Sequence, residues 1–108
     1  MTLSLIKTTV NNAQGTYTPS LLVNGYFEIN QVGALTINNP NYGSNGQVFV
    51  IKTVMDTPNQ PILTWGSAYV PGVGMLCGGT GPQGSTWVHA FLYDDDDGKA
   101  YLIHSSYY

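Results

Sequence analysis

The sequence predicts an all-β protein: a single small antiparallel β-sandwich or barrel-like domain over residues 21–108, preceded by an extended N-terminal arm over residues 1–20. Three observations predict it. Short runs rich in Val, Ile, Thr, Tyr, Phe and Trp are broken by Gly, Pro and Asn at the spacing of a sandwich. No segment shows helical periodicity bounded by caps. Asn24-Gly25 lies between two β-prone runs, the strongest short hairpin signal, because both turn residues take positive φ. At 108 residues the chain makes one domain with one modest core.

Residues 2–10 alternate loosely, with Leu3, Leu5 and Lys7 on one side and Ser4, Ile6 and Thr8 on the other. Asn11-Asn12-Ala13-Gln14-Gly15 breaks that pattern, and residues 16–20 run extended around Pro19. This reads as an arm expected to lie on another chain rather than as a core strand. Leu21-Leu22-Val23 and Tyr26-Phe27-Glu28-Ile29 then form the hairpin about Asn24-Gly25. Leu35-Thr36-Ile37 alternates and stops at Asn38-Asn39-Pro40.

Residues 48–55 are apolar at almost every position, interrupted by Lys52 and Thr53. A run covered on both faces fits a central strand or a strand at a subunit interface. Residues 56–61 are a turn. Residues 62–65 form a short strand opened by Pro61, which has no amide hydrogen to donate. Gly66 lets the chain turn sharply after the indole of Trp65. Tyr69 and Pro71 run extended into a glycine-rich loop over residues 70–86, and residues 87–93 and 99–105 make the last hairpin.

The chain is organised around residues 60–74, and here it resembles a known family. Thr64-Trp65-Gly66-Ser67-Ala68-Tyr69, followed by Pro71-Gly72, resembles a segment of small β domains in bacteriophage virion proteins. Such domains occur at the C-terminal ends of tail-fibre-like proteins, and related β-sandwiches occur in other virion accessory proteins. Upstream, Leu35-Thr36-Ile37-Asn38-Asn39-Pro40 and Gly46-Gln47-Val48-Phe49-Val50-Ile51 look like the family's strand, Asn-Pro turn and Gly-opened strand. Downstream, Phe91-Leu92-Tyr93-Asp94 and Gly98-Lys99-Ala100-Tyr101-Leu102-Ile103 look like its closing hairpin. The resemblance spans residues 26–104 and departs where a long acidic turn replaces a short Asp-Gly one. It does not reach the first 25 residues, and it implies no shared catalytic residues.

Composition narrows the function. Charged residues are 8% of the chain, against roughly 25% in ordinary soluble domains. Low charge with many Asn, Thr, Ser, Gly and Tyr fits a surface that is covered, since a free monomer normally carries more charge. Net charge is −3 and only Lys7, Lys52 and Lys99 are basic. Nucleic acid needs several cations to neutralise phosphate and is rejected as a partner. No apolar run approaches about 20 residues, so no membrane span is expected. Residues 1–7 lack a basic region followed by an apolar core, so they do not read as a secretory signal. Cys77 is the one cysteine; with no basic neighbour to lower its pKa, it reads as a small loop or core thiol.

Asp94-Asp95-Asp96-Asp97-Gly98 fails the EF-hand spacing, because Tyr93 and His104 fall where ligands are required. A solvated Asp-Gly turn is preferred to a cation cage, and four mutually repelling carboxylates predict exposure. His89 and His104 share a face of the last hairpin if Asp97-Gly98 are its central turn residues; a one-residue error puts them on opposite faces. With no third ligand in view, packed or surface histidines are preferred to a metal pair. Gly78-Gly79-Thr80-Gly81-Pro82-Gln83-Gly84 lacks the Gly-Lys-Ser/Thr ending of a phosphate loop. Glu28 is the only Glu, and no Gly-x-Ser-x-Gly occurs. No enzyme, cofactor or metal is expected.

The core is expected to hold Phe49, Trp65, Tyr69 and Phe91. The remaining aromatics, including Trp87, Tyr93 and Tyr101, suit protein interfaces or sugar stacking. The expectation is a bacteriophage virion structural protein, a homotrimeric capsid decoration (cement) protein on the major capsid protein. Its expected contact residues are Leu3, Leu5, Ile6, Tyr17, Tyr107 and Tyr108. The alternative is a tail fibre or tail-tip module that recognises host glycans through exposed aromatics and the loop over residues 70–86.

Overall fold

The computed structural model describes residues 6–22, 25–59, 61–72, 76 and 82–108. Among them are seven strands and no helix: β1 (Lys7–Tyr17), β2 (Tyr26–Ile37), β3 (Val48–Met55), β4 (Leu63–Trp65), β5 (Tyr69–Val70), β6 (Thr86–Asp94) and β7 (Lys99–Tyr107). They form one sheet, ordered β1-β2-β3-β6-β7-β5 with β4 on β2, curled into a half-barrel. The all-β, barrel-like expectation therefore holds.

The strand sense is a correction. Only β3/β6 and β6/β7 are antiparallel, whereas β1/β2, β2/β3, β2/β4 and β5/β7 are parallel. The expected hairpin over residues 21–29 does not form. Leu21 and Leu22 lie in a turn, and β2 starts beside the start of β1, Tyr26 opposite Lys7. Val23 and Asn24 lie outside the described residues. An Asn-Gly pair marks a reversal but does not choose the strand that comes next to its neighbour. Here the chain returns after Tyr17 and again after Ile37, so that β1, β2 and β3 run the same way. These two returns clip together: the Leu21 N–H donates to the Asn41 carbonyl (2.9 Å) and the Asn41 N–H to the Pro19 carbonyl (3.0 Å). Both deliver apolar groups inward, since Leu21, Pro19 and Pro40 are buried.

The arm expectation also changes. Residues 7–17 are extended, but they lie along β2 of their own chain. Ala13 is buried, and Val10 and Tyr17 pack on the core, Tyr17 edge-on to Phe27 at 6.3 Å. The strand is irregular: register breaks fall between Val10 and Ala13 and between Ala13 and Gly15, with positive φ at Asn12 (54°) and Gly15 (82°).

Alternate residues of the other strands fill the interior. Phe27, Ile29, Leu35 and Ile37 come from β2, Phe49, Ile51 and Met55 from β3, and Phe91 and Tyr93 from β6. Burying each large apolar side chain contributes about 1.5–3 kcal/mol. Expected core residues Phe49, Phe91 and Tyr69 are buried, while Trp65 is half-buried against the same cluster. β3 is central, as expected, yet it is covered on one face only: Phe49, Ile51, Thr53 and Met55 point in, and Val50, Lys52 and Val54 are half-buried.

One edge of β2 is shared. β3 pairs with its first half, from Tyr26 to Gln31, and β4 with its last three residues, Leu35 to Ile37. The fully buried Gln31 bridges the change of partner, its Nε2 donating to the carbonyls of Gly33 and Ile62, both at 3.0 Å. β5 follows β4 after Gly66-Ser67-Ala68 and pairs with β7, Tyr69 opposite Ala100. The segment from Leu63 to Val70 thus ties β2 to β7 across the open side of the curl.

Candidate functional site

Two stretches singled out in the sequence meet in the fold. Asn39 Oδ1 accepts the Ala68 N–H (2.8 Å), the Tyr69 hydroxyl donates to the Asn38 carbonyl (2.9 Å), and the Gly66 N–H donates to the Ile37 carbonyl (2.7 Å). Gly66 is required by proximity rather than by dihedral freedom. A Cβ there would lie 2.3 Å from Asn39 Oδ1 and 2.8 Å from the Asn39 nitrogen. Burial pushes the Tyr69 phenol well above its ordinary pKa. Trp65 sits edge-on to Tyr69 (5.0 Å) and His89 (4.9 Å) and tilted over Phe91 (5.5 Å), so this end of the barrel is sealed by rings.

The sites weighed in the sequence fall out as follows. His89 is fully buried between Trp65 and Trp87, whereas His104 is exposed on the other face opposite Ala90. The slip of register between Ala90 and Phe91 places them so, and the same-face pairing is corrected. The acidic turn is exposed at Asp95, Asp96 and Asp97. Its carboxylates are used locally: Asp94 Oδ1 accepts the Asp96 N–H (2.9 Å), Asp97 Oδ1 accepts the Lys99 N–H (3.0 Å), and the Tyr101 hydroxyl donates to Asp97. That last bond holds the Tyr101 phenol above its ordinary range. Among the described residues no three of His, Cys, Asp and Glu come together to hold a metal.

Of the expected contact residues, four lie among the described residues. Leu3 and Leu5 lie outside the described residues, as do Cys77 and residues 78–81 of the glycine loop. Ile6 and Tyr108 are exposed, Tyr17 packs on the core, and Tyr107 stands edge-on to Trp87 (4.9 Å) with its hydroxyl 3.0 Å from Ser85 Oγ.

The surface that does stand out is the outward face of β3 and β6. Val48, Val50 and Val54 project from β3, and Val88, Ala90 and Leu92 from β6, with Val48 paired to Leu92, Val50 to Ala90 and Val54 to Thr86. Val48 is 45% exposed and Leu92 37%, and Ile103 of β7 adds a further exposed side chain at 55%. Lys52 is the one charge that β3 places on this face, opposite Val88 on one side and Glu28 on the other, and Asp94 ends the same face of β6. Glu28 is engaged elsewhere: Lys7 Nζ lies 2.6 Å from its carboxylate, which holds the Glu28 pKa down and the Lys7 pKa up. Around Lys52 the surface sinks into an open depression of about 450 Å³ lined by Tyr26, Lys52, Thr86, Val88 and Tyr108. The sequence signal for it is the lysine that interrupts an otherwise apolar strand; its partners come from β2, β6 and the last residue.

Comparison of the chain with protein-family models, with curated proteins and with solved structures finds no match in any of the three.

Proposed function

We propose that the chain is a structural protein of a bacteriophage virion: a capsid decoration (cement) protein, acting as a homotrimer, that sits on the capsid surface and bridges subunits of the major capsid protein. The observation that carries this reading is the outward face of β3 and β6, where Val48, Val50, Val54, Val88, Ala90 and Leu92 lie side by side. A sheet face left to water normally carries polar side chains in alternation with the core. A contiguous apolar face instead marks a surface that another protein covers. The phage setting comes from the resemblance of residues 64–72 and their flanks to virion domains.

A cement protein does no chemistry. It binds the assembled shell in preference to loose subunits and stabilises it by mass action. Three linked copies raise the effective concentration of each contact. An attachment made of apolar groups depends weakly on salt, because few ion pairs are there to be screened. The test is to strip the protein from purified capsids of the phage that encodes it and rebind it across a salt series while following heat resistance. Salt-insensitive rebinding with restored resistance is expected. Capsids equally robust without it, or a chain found only at the tail tip, reject the reading.

A second reading, a tail fibre or tail-tip module that recognises host surface glycans, is favoured by the tyrosine-walled depression around Lys52. An image of the virion that locates the chain separates the two.

A further inference from the structure

We propose that the depression lined by Tyr26, Lys52, Thr86, Val88 and Tyr108 is a carbohydrate site that takes one hexopyranose unit, its apolar face on a tyrosine ring and a ring or substituent oxygen on the Lys52 ammonium. The volume, about 450 Å³, falls within the roughly 300–1,000 Å³ of small-ligand sites. Its lining combines what a sugar needs. Val88 supplies an apolar contact, two phenols supply rings with polar tips, and Lys52 and Thr86 supply a donor and a hydroxyl.

The backbone that carries these side chains is held in place. The Lys7 ammonium lies over the Tyr26 ring, 5.9 Å from its centroid, and is itself fixed by Glu28. Tyr108 is zipped to β6 by two main-chain bonds, its N–H to the Thr86 carbonyl (2.8 Å) and the Thr86 N–H to its own carbonyl (3.0 Å). Thr86 Oγ1 donates to the Gly84 carbonyl (3.2 Å), which leaves its lone pairs to accept. Such pre-ordering reduces the ordering cost of binding. Lys52 lies opposite Glu28, and Lys7 and Lys52 together hold that carboxylate below its ordinary pKa. Lys7 neutralises Glu28, while Lys52 makes no hydrogen bond or ion pair among the described residues. One ammonium beside a carboxylate suits a single sugar oxygen and is too little for a polyphosphate or nucleic acid. The proposal deepens the second reading and rests on it, because Lys52 and Val88 lie on the face that the capsid reading covers.

The test is saturation-transfer and amide-shift NMR on the whole chain, with methyl glucoside, methyl glucuronide and glycerol as probes. Saturation of the sugar C–H protons, with shifts at Lys52, Val88, Thr86 and Tyr108, is expected from at least one of the two sugars. The glucuronide binding more tightly, in a salt-sensitive way, identifies a carboxylate on Lys52; equal binding identifies a neutral oxygen. Lys52→Ala should weaken binding about tenfold, the loss of one charged hydrogen bond. Tyr108→Ala should weaken it several-fold, and Tyr42→Ala, an exposed tyrosine elsewhere, should leave it unchanged. Glycerol shifting the same amides equally, shifts mapping away from the depression, or no response to either sugar overturns the proposal. Because these readouts need no virion, their failure is separate from failure of the capsid or tail assignment.

Discussion

The hydroxyl of Tyr69 donates to the main-chain carbonyl of Asn38 at 2.9 Å. That bond joins the loop after β2 to the start of β5, the point where the chain crosses from one side of the curled sheet to the other. Tyr69→Phe keeps the ring but leaves the carbonyl unpaired, so a loss of about 1–2 kcal/mol in denaturant unfolding is expected.

The same residue sets an alkaline limit. Burial holds the Tyr69 phenol protonated above its ordinary pKa of 10.0, and Tyr17 is shifted the same way by its own burial. The unfolded chain releases these protons as pH passes about 10 while the folded chain keeps them. The stability contributed by the buried phenols is therefore complete below about pH 10 and is lost as pH rises above it. Unfolding midpoints followed from neutral to strongly alkaline pH should fall less steeply in Tyr69→Phe than in the parent. Parallel falls would reject this assignment.

Gly66→Ala should destabilise by about 1–3 kcal/mol, the usual cost of overpacking. The new methyl would fall 2.8 Å from a main-chain nitrogen, which cannot rotate away as a side chain does. Calorimetry of the variant checks it, and an unchanged melting temperature would mean that the Asn39 contact is not structural.

Thr53→Val runs the other way. Thr53 is fully buried on the inner face of β3, and its Oγ1 has no hydrogen-bond partner among the described residues. Replacing the hydroxyl with a methyl of similar size removes a desolvated polar atom and should stabilise by about 1 kcal/mol. A destabilised variant would point to a buried water on that oxygen.

Leu92→Lys addresses the outward face. Leu92 lies beyond the core on the exposed side of β6. The variant should therefore keep the parent's circular dichroism and melting temperature while losing attachment to capsids. Undiminished attachment would remove the β3–β6 face from the proposed interface.

What the sequence made legible was local. The β3 bounds, the end of β2 at Ile37, the short strand after Pro61 and the last two strands all follow from alternation and punctuation within a few residues. What it hid was set at a distance. β1 reads as an arm because, of its eleven residues, only Ala13 is buried; its strand identity comes from β2, not from its own pattern. Strand sense was hidden for the same reason, since the returns after Tyr17 and Ile37 carry no mark of where they take the chain. The pairing of His89 with His104 turned on one irregularity between Ala90 and Phe91, too small to see in a count of turn residues. The depression around Lys52 was half visible: the lysine stands out in its strand, but Tyr26, Thr86 and Tyr108 become its neighbours only through pairing of β2, β3 and β6.

The two kinks in β1 have a consequence for how copies of this chain can crowd. β1 is the first strand of the sheet, and among the described residues no strand pairs with the side of it away from β2. A straight rim would be a template on which a neighbour's backbone could zip, and then another upon that. At Asn12 and Gly15 the backbone turns left-handed, and the ladder of outward amides and carbonyls is interrupted. The β1 rim thus opposes strand-by-strand addition of further copies, a protection that lies in its backbone and not in its charges.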